Sequence, residues 1–381
     1  MESKLENQKL SPSKRADALD ALRGIAVLAM ILSGTIPFNG ILPAWMYHAQ
    51  EPPPTHQFNP NLPGLTWVDL VFPFFIFSMG AAIPLAQSRR LDRGWTEIQI
   101  VLSIIKRGFF LATFAIVSQH FRPLTINPEP GFYQWKFALI GFAILFLMFG
   151  QFPKYSPKLL NRIMTGGGWT AGIIFLSNIQ YPYDEKYKTF SLYRSDIILI
   201  LLANIAVFAS LIWLFTRSKM GVRLGLLVLL FPLLLSFNQG SWNTKFLQSF
   251  PLSWLFKFDY LKYLFIAIPA TLVGDWIVAW LQVAQQEEKT RWGTRQYILI
   301  VLLMAAINLN LLVGLQARWL EAMTAITIVF GFFGYWLVNH PKTATENLIK
   351  KIYVWGCYWL ALGLAFEPYQ GGIKKDSPTM S

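Results

Sequence analysis

The side chains able to do chemistry in this sequence are few, and most stand at the edges of apolar runs. Two of the four histidines, His48 and His56, lie in a polar, Pro-rich loop between the runs Leu19–Pro37 and Trp67–Gln87. The first run opens with Asp20 and Arg23, three apart and so on one helical face. The second opens with Asp69, beside Leu70-Val71-Phe72-Pro73-Phe74-Phe75-Ile76-Phe77. Ionisable groups beside or inside apolar spans are costly, which marks them as functional candidates. His48 is the best candidate for a general base, because an imidazole exchanges its proton near neutrality. Asp69 can hold the ring and stabilise the imidazolium. Two competing readings stand beside this one: a loop histidine bonded to backbone, and an Asp that caps the helix at Leu70. Arg23 can clamp a phosphate-bearing group through its fork of donors, or snorkel to an interface and pair with Asp20. Arg89, Arg90, Arg93, Lys106 and Arg107 suit a polyphosphate nucleotide or anionic lipid headgroups. Asp275 follows Pro269 deep within an apolar run, where an acid normally faces a bundle interior. Asn308 is polar glue or cavity lining. Ser33, His120, Asp275 and Asn308 are the candidates for a substrate cavity.

These residues need elements to position them, and composition says which kind. Of 381 residues, 54% are hydrophobic and 14% charged, where a soluble globule carries about a quarter charged residues. With a mean hydropathy of +0.41, this points to an all-α, polytopic membrane helix bundle. Eleven spans are expected: Leu19–Pro37, Trp67–Gln87, Ile98–Gln119, Lys136–Gln151, Arg162–Ile179, Ser195–Phe215, Val222–Phe237, Lys262–Leu281, Gln296–Gln316, Leu320–Val338 and Leu348–Phe366. Residues 1–18 read as a polar cytoplasmic tail without a signal-peptide core, and 19–381 as one transmembrane domain. With the N-terminus inside and the spans alternating, 22 of the 33 Lys and Arg fall on inner loops. That bias accounts for the net charge of +13 without a nucleic-acid partner. His48, His56 and His120 then lie outside, among loops rich in Trp and Tyr. Those rings are interface anchors or stacking platforms for sugars. The single cysteine, Cys357, excludes an intrachain disulfide and a Cys-based metal cluster, and no metal site is expected.

The same runs carry a family resemblance. Leu19-Asp20-Ala21-Leu22-Arg23-Gly24-Ile25-Ala26-Val27 resembles the opening of transmembrane acyltransferases. Tyr47-His48-Ala49 together with the run from Gly64-Leu65-Thr66-Trp67-Val68-Asp69 through Gly80 narrows it. The pattern resembles the heparan-alpha-glucosaminide N-acetyltransferase family and its bacterial relatives. The likeness extends to Pro269–Asp275 and to Glu367–Asp376, with its Gly371-Gly372-Ile373-Lys374-Lys375-Asp376 run. That family moves an acetyl group from cytosolic acetyl-CoA to an amino sugar across the membrane. The resemblance implies that His48 is catalytic, with covalent acetylation and base catalysis both open, and that Asp69 is its acid. It implies that Asp20 and Arg23 stand at the inner end of the first helix. Arg89, Arg90 and Arg107 complete a basic mouth for acyl-CoA. A periplasmic sugar or glycan acceptor, a bacterial inner-membrane location and a homodimer are the matching expectations. Ser33 or Gly34 stands where the family pattern leads one to expect Asn. Relatives with the Gly-Gly-Ile-Lys-Lys-Asp run tend to continue into further apolar spans, so a chain truncated at its C-terminus is expected. The alternative is a secondary transporter of a small solute, motivated by Asp275, the broken spans and the many aromatics, although no inverted repeat is visible.

Overall fold

The computed structural model describes residues 16–37, 42–59, 61–150, 157–237, 252–283 and 292–366. The basic N-terminal run through Arg15 and the Gly371–Asp376 run lie outside the described residues. Among the described residues the regular structure is helical. The helices are α1 (Asp17–Thr35), α2 (Trp67–Asp92), α3 (Glu97–His120), the short α4 (Pro123–Ile126), α5 (Phe132–Phe149) and α6 (Lys158–Asn178). They continue with α7 (Ile197–Thr216), α8 (Met220–Phe237), α9 (Leu264–Val283), α10 (Thr294–Ala317), α11 (Leu320–Val338) and α12 (Ala344–Phe366). Each of the eleven predicted spans falls on a helix. Among the described residues, eight are long and apolar enough to cross a membrane. The other three spans lie on α6, α8 and α12, of which Met220–Leu235 is apolar but short. The chain is thus a polytopic membrane helix bundle.

The helices group into two compact units. The first comprises residues 1–95, 212–235 and 262–381, and the second 96–211 and 236–261. The division falls within α7.

In the first unit, α2 and α9 form the centre. Gly80 and Gly274 present bare backbone at their crossing. A Cβ on Gly80 would collide with the Ala267 carbonyl, and one on Gly274 with that of Ala81. Small residues are what allow such close helix approach in a bilayer, where apolar burial alone drives little association. Leu19 of α1 packs with Ala81, Leu85 and Ala270. The opposite face of α1, with Ile25, Leu28, Ile31 and Leu32, stays exposed, as suits a lipid-facing helix. Contacts order α2 and α9 in parallel: Phe72 meets Tyr263, and Pro84 lies where a Gly274 side chain would be. Helices α8 and α9 run antiparallel, with Arg223 at Asp275 and Phe231 at Phe265. So do α9 and α12, with Trp280 at Thr345 and Trp355 at the Pro269 carbonyl, and α10 and α11, with Gln296 at Leu337 and Gly314 at Met323.

In the second unit, α3 packs antiparallel on α5, with Phe114 against Phe149 and Phe121 against Gly141. Helix α5 packs antiparallel on α6, and α3 on the first part of α7. Every one of these directions is what a chain crossing alternately at all eleven spans requires.

Candidate active site

The site is built on the N-terminus of α2 and the loop before it, all within the first unit. Thr66 is the N-cap residue of α2 and Asp69 occupies the third helical position. That spacing lets an acid reach back to the free N–H groups at a helix start. Asp69 does so, accepting the Thr66 N–H at 3.0 Å through Oδ2. The same oxygen accepts the Ala49 N–H at 3.2 Å and lies 3.2 Å from the Thr66 hydroxyl. Its other oxygen, Oδ1, takes the Nδ1–H of His48 at 2.6 Å. The pairing with His48 is thus present, whereas the expected cap is displaced: α2 begins at Trp67 and not at Leu70, Thr66 is its N-cap, and Asp69 reaches back from the third helical position.

The loop that delivers His48 is a folded element. Tyr47 is 3% exposed, and its hydroxyl donates to the Pro37 carbonyl at 2.9 Å. The ring of His56 packs on that of Tyr47 with centroids 4.4 Å apart. Gln50 is fully buried, and its Nε2 donates to the Leu62 and Gly64 carbonyls, closing the loop on itself. Gly64 has φ of +124°, a conformation that side-chain-bearing residues avoid, and it stands over Leu315 and Gln316 at the end of α10.

The result is a polarised pair. The Asp69 side chain is 1% exposed and that of His48 is 34% exposed. With Nδ1–H committed to the carboxylate, Nε2 carries the lone pair. Among the described residues Nε2 has no protein hydrogen-bond partner. Such a nitrogen can accept a proton from an attacking nucleophile while the buried carboxylate stabilises the imidazolium.

The opposite end of the first unit gathers the basic candidates. The antiparallel packing of α1 on α2, with Leu19 against Ala81 and Leu85, puts Asp20 and Arg23 in the same half of the first unit as the last turn of α2, which carries Arg89 and Arg90. Asp20 and Arg23 lie 3.6 Å apart on a solvated face. Arg90 stacks over Trp95 at 5.4 Å. Asp69 and Arg89 are twenty residues apart on one helix, about 30 Å at 1.5 Å per residue, the thickness of a bilayer core.

The remaining candidates have other surroundings. Ser33 donates to the Met30 carbonyl of its own helix, and Asn308 to that of Met304 on an exposed face of α10. Asp275, whose place deep in its span raised the transporter alternative, accepts Arg223 at 2.6 Å and the Trp213 indole at 2.8 Å. Arg107 and His120 belong to the second unit. Arg107 is exposed on α3. His120 is fully buried, donates through Nδ1 to the Ile116 carbonyl and accepts the Ser191 N–H through Nε2. Nδ1 is engaged by its own helix and Nε2 by the loop after α6, so the structure makes it a packing residue and leaves no nitrogen for a substrate.

Sequence reasoning missed Thr66, Gln50 and Arg223. Thr66 had a signal, a hydroxyl three residues before an acid ahead of an apolar run. Gln50 had none. Arg223 lies at the edge of the expected span Val222–Phe237, where nothing in the sequence signals burial, yet it is 1% exposed and bonded to Thr216, Thr271 and Asp275.

Comparison with known proteins bears on this geometry. The chain is 28% identical over 107 residues to heparan-alpha-glucosaminide N-acetyltransferase of Mus musculus, covering 28% of this chain and 14% of that protein. It is 31% identical over 103 residues to the enzyme of the same name of Homo sapiens, covering 27% of this chain and 13% of that protein. The match thus spans about one seventh of these relatives' length, and it supports the kinship read from the α1 and α2 motifs. A family model matches residues 15–277, more than half of the sequence, and the chain belongs to the family described as "Domain of unknown function (DUF5009)".

Proposed function

We propose that this protein is a membrane acyltransferase of the bacterial inner membrane, with all eleven spans crossing and the N-terminus in the cytoplasm. It moves an acetyl group from cytoplasmic acetyl-CoA to an amine or hydroxyl of a periplasmic sugar or glycan. The observation that carries this reading is the buried Asp69 carboxylate 2.6 Å from Nδ1 of a half-exposed His48. Similarity to acetyltransferases named for an amino-sugar acceptor supports the reaction class.

In this reading His48 Nε2 takes the proton of the acceptor as its nitrogen or oxygen bonds to the thioester carbonyl carbon. Asp69 stabilises the imidazolium so formed. Collapse of the tetrahedral intermediate breaks the C–S bond, and the imidazolium returns its proton to the leaving thiolate. Arg23, Arg89 and Arg90 attract the phosphates of the donor at the inner side, with Asp20 beside Arg23 to orient its guanidinium. Asp275 is held by Arg223 and Trp213, so no specific observation favours the transporter alternative.

The test is acetyl-CoA-dependent acetylation of glucosamine-type acceptors by purified protein in vesicles. His48→Ala is expected to abolish turnover. Asp69→Asn, which keeps the shape and loses the charge, is expected to cost at least about 100-fold in kcat. Full activity of His48→Ala would remove the basis of the assignment.

A further inference from the structure

We infer that Thr66 is a positioning residue for His48, acting through both the backbone that carries the imidazole and the carboxylate that holds it. This rests on the assignment of His48 as the catalytic base. Thr66 is 3% exposed, so its hydroxyl makes its hydrogen bonds within the protein. That hydroxyl lies 2.7 Å from the Tyr47 carbonyl and 3.2 Å from Asp69 Oδ2. Its single proton is shared between these two acceptors.

The placement matters because of what flanks His48. The peptide before it ends in the Tyr47 carbonyl, which Thr66 holds. The peptide after it carries the Ala49 N–H, which Asp69 Oδ2 holds at 3.2 Å. Both flanking peptides are thus pinned to the first turn of α2, one by Thr66 and one by Asp69. Thr66 also adds its own N–H to Oδ2 at 3.0 Å, so that oxygen is fully occupied. The open acceptor of the carboxylate is then Oδ1, and the His48 Nδ1–H takes one of its lone pairs. A carboxylate fixed at one oxygen cannot rotate away from its histidine. The tautomer that leaves Nε2 as a base follows from this arrangement. Asp69 alone, with a backbone cap and no hydroxyl, would lack the Thr66 link from the first turn of α2 to the Tyr47 carbonyl.

Three variants test the assignment, in purified protein shown to be monodisperse. Thr66→Val removes the hydroxyl and keeps the shape and the backbone N–H. Its kcat is expected to fall about 10- to 100-fold, with the KM values for acetyl-CoA and for the acceptor within about twofold of the parent. Thr66→Ser restores the hydroxyl and is expected within about threefold of the parent. Spectra of protein labelled with nitrogen-15 at histidine are expected to show one tautomer for His48 in the parent and a mixture in Thr66→Val. Parent-level kcat in Thr66→Val, with His48→Ala inactive, would overturn this inference and leave the function standing. So would a Thr66→Ser variant as impaired as Thr66→Val, since the hydroxyl would then not be the cause. An active His48→Ala would overturn both.

Discussion

Asp69 can serve His48 because its second oxygen is already satisfied. A carboxylate in an apolar span is tolerated only when donors replace the lost water, and here two backbone N–H groups, a hydroxyl and an imidazole do so. Another acid shows a similar logic outside the spans. Asp184, in the loop after α6, accepts Arg194 at 2.6 Å, and this hydrogen bond with the Tyr187 and Lys186 N–H groups pulls its carboxyl down to about 2. Arg194 is 7% exposed and lies over the Tyr181 ring, whose hydroxyl burial pushes up in pKa. The folded loop therefore favours the ionised carboxylate. Its stabilising effect is complete above the ordinary carboxylate value near 4 and is lost as pH falls from about 4 to about 2. Limited pepsin digestion across that range should show cleavage within 180–194 rising as pH drops. An Arg194→Met variant should be cleaved at both ends of the range. At this scale the reactive types were legible, because an acid or a histidine beside an apolar run stands out. Their partners were not, because His48 and Asp69 are 21 residues apart and only the folded loop closes that distance.

Among the elements, α2 does the most work. Its first turn holds the site, its middle offers Gly80 to α9, and its last turn carries Arg89 and Arg90. The α8–α9 contact is the least anticipated. Arg223 lies near the start of a short apolar helix, and hydropathy assigns such residues to the boundary. Packing instead buries it against Asp275, Thr271 and Thr216. Removing one partner of such a pair leaves the other charge unpaired in an apolar span. Arg223→Met is expected to destabilise the protein by about 3–5 kcal/mol, and the double change Arg223→Met with Asp275→Leu to recover most of that. Thermal unfolding in detergent, followed by dye or size exclusion, measures both. A single variant as stable as the parent would mean that the pair carries no stability.

For the whole molecule, the decisive property is direction. Helix pairs in each unit run as alternate crossings demand, although nothing in a hydropathy profile specifies which helices touch. The proposed orientation is open to a chemical test, because Cys357 is the one cysteine of the sequence. In a Cys357→Ser background, a membrane-impermeant maleimide applied to intact spheroplasts should label Gln57→Cys. It should label Ser218→Cys only after permeabilisation. The reverse pattern would invert the topology and place His48 on the wrong side for the proposed reaction.

The amino-acid sequence by itself determined the membrane class, the position of the apolar helices and a small set of candidate residues. These follow from local composition, since twenty apolar residues in a row have few places to go. Only the tertiary structure decided that His48 and Asp69 meet, that Asp275 is engaged by Arg223, and that His120 holds a loop. Those outcomes depend on residues far apart in the chain, brought together by glycine-sized gaps between helices and by backbone donors that no pattern of side chains announces.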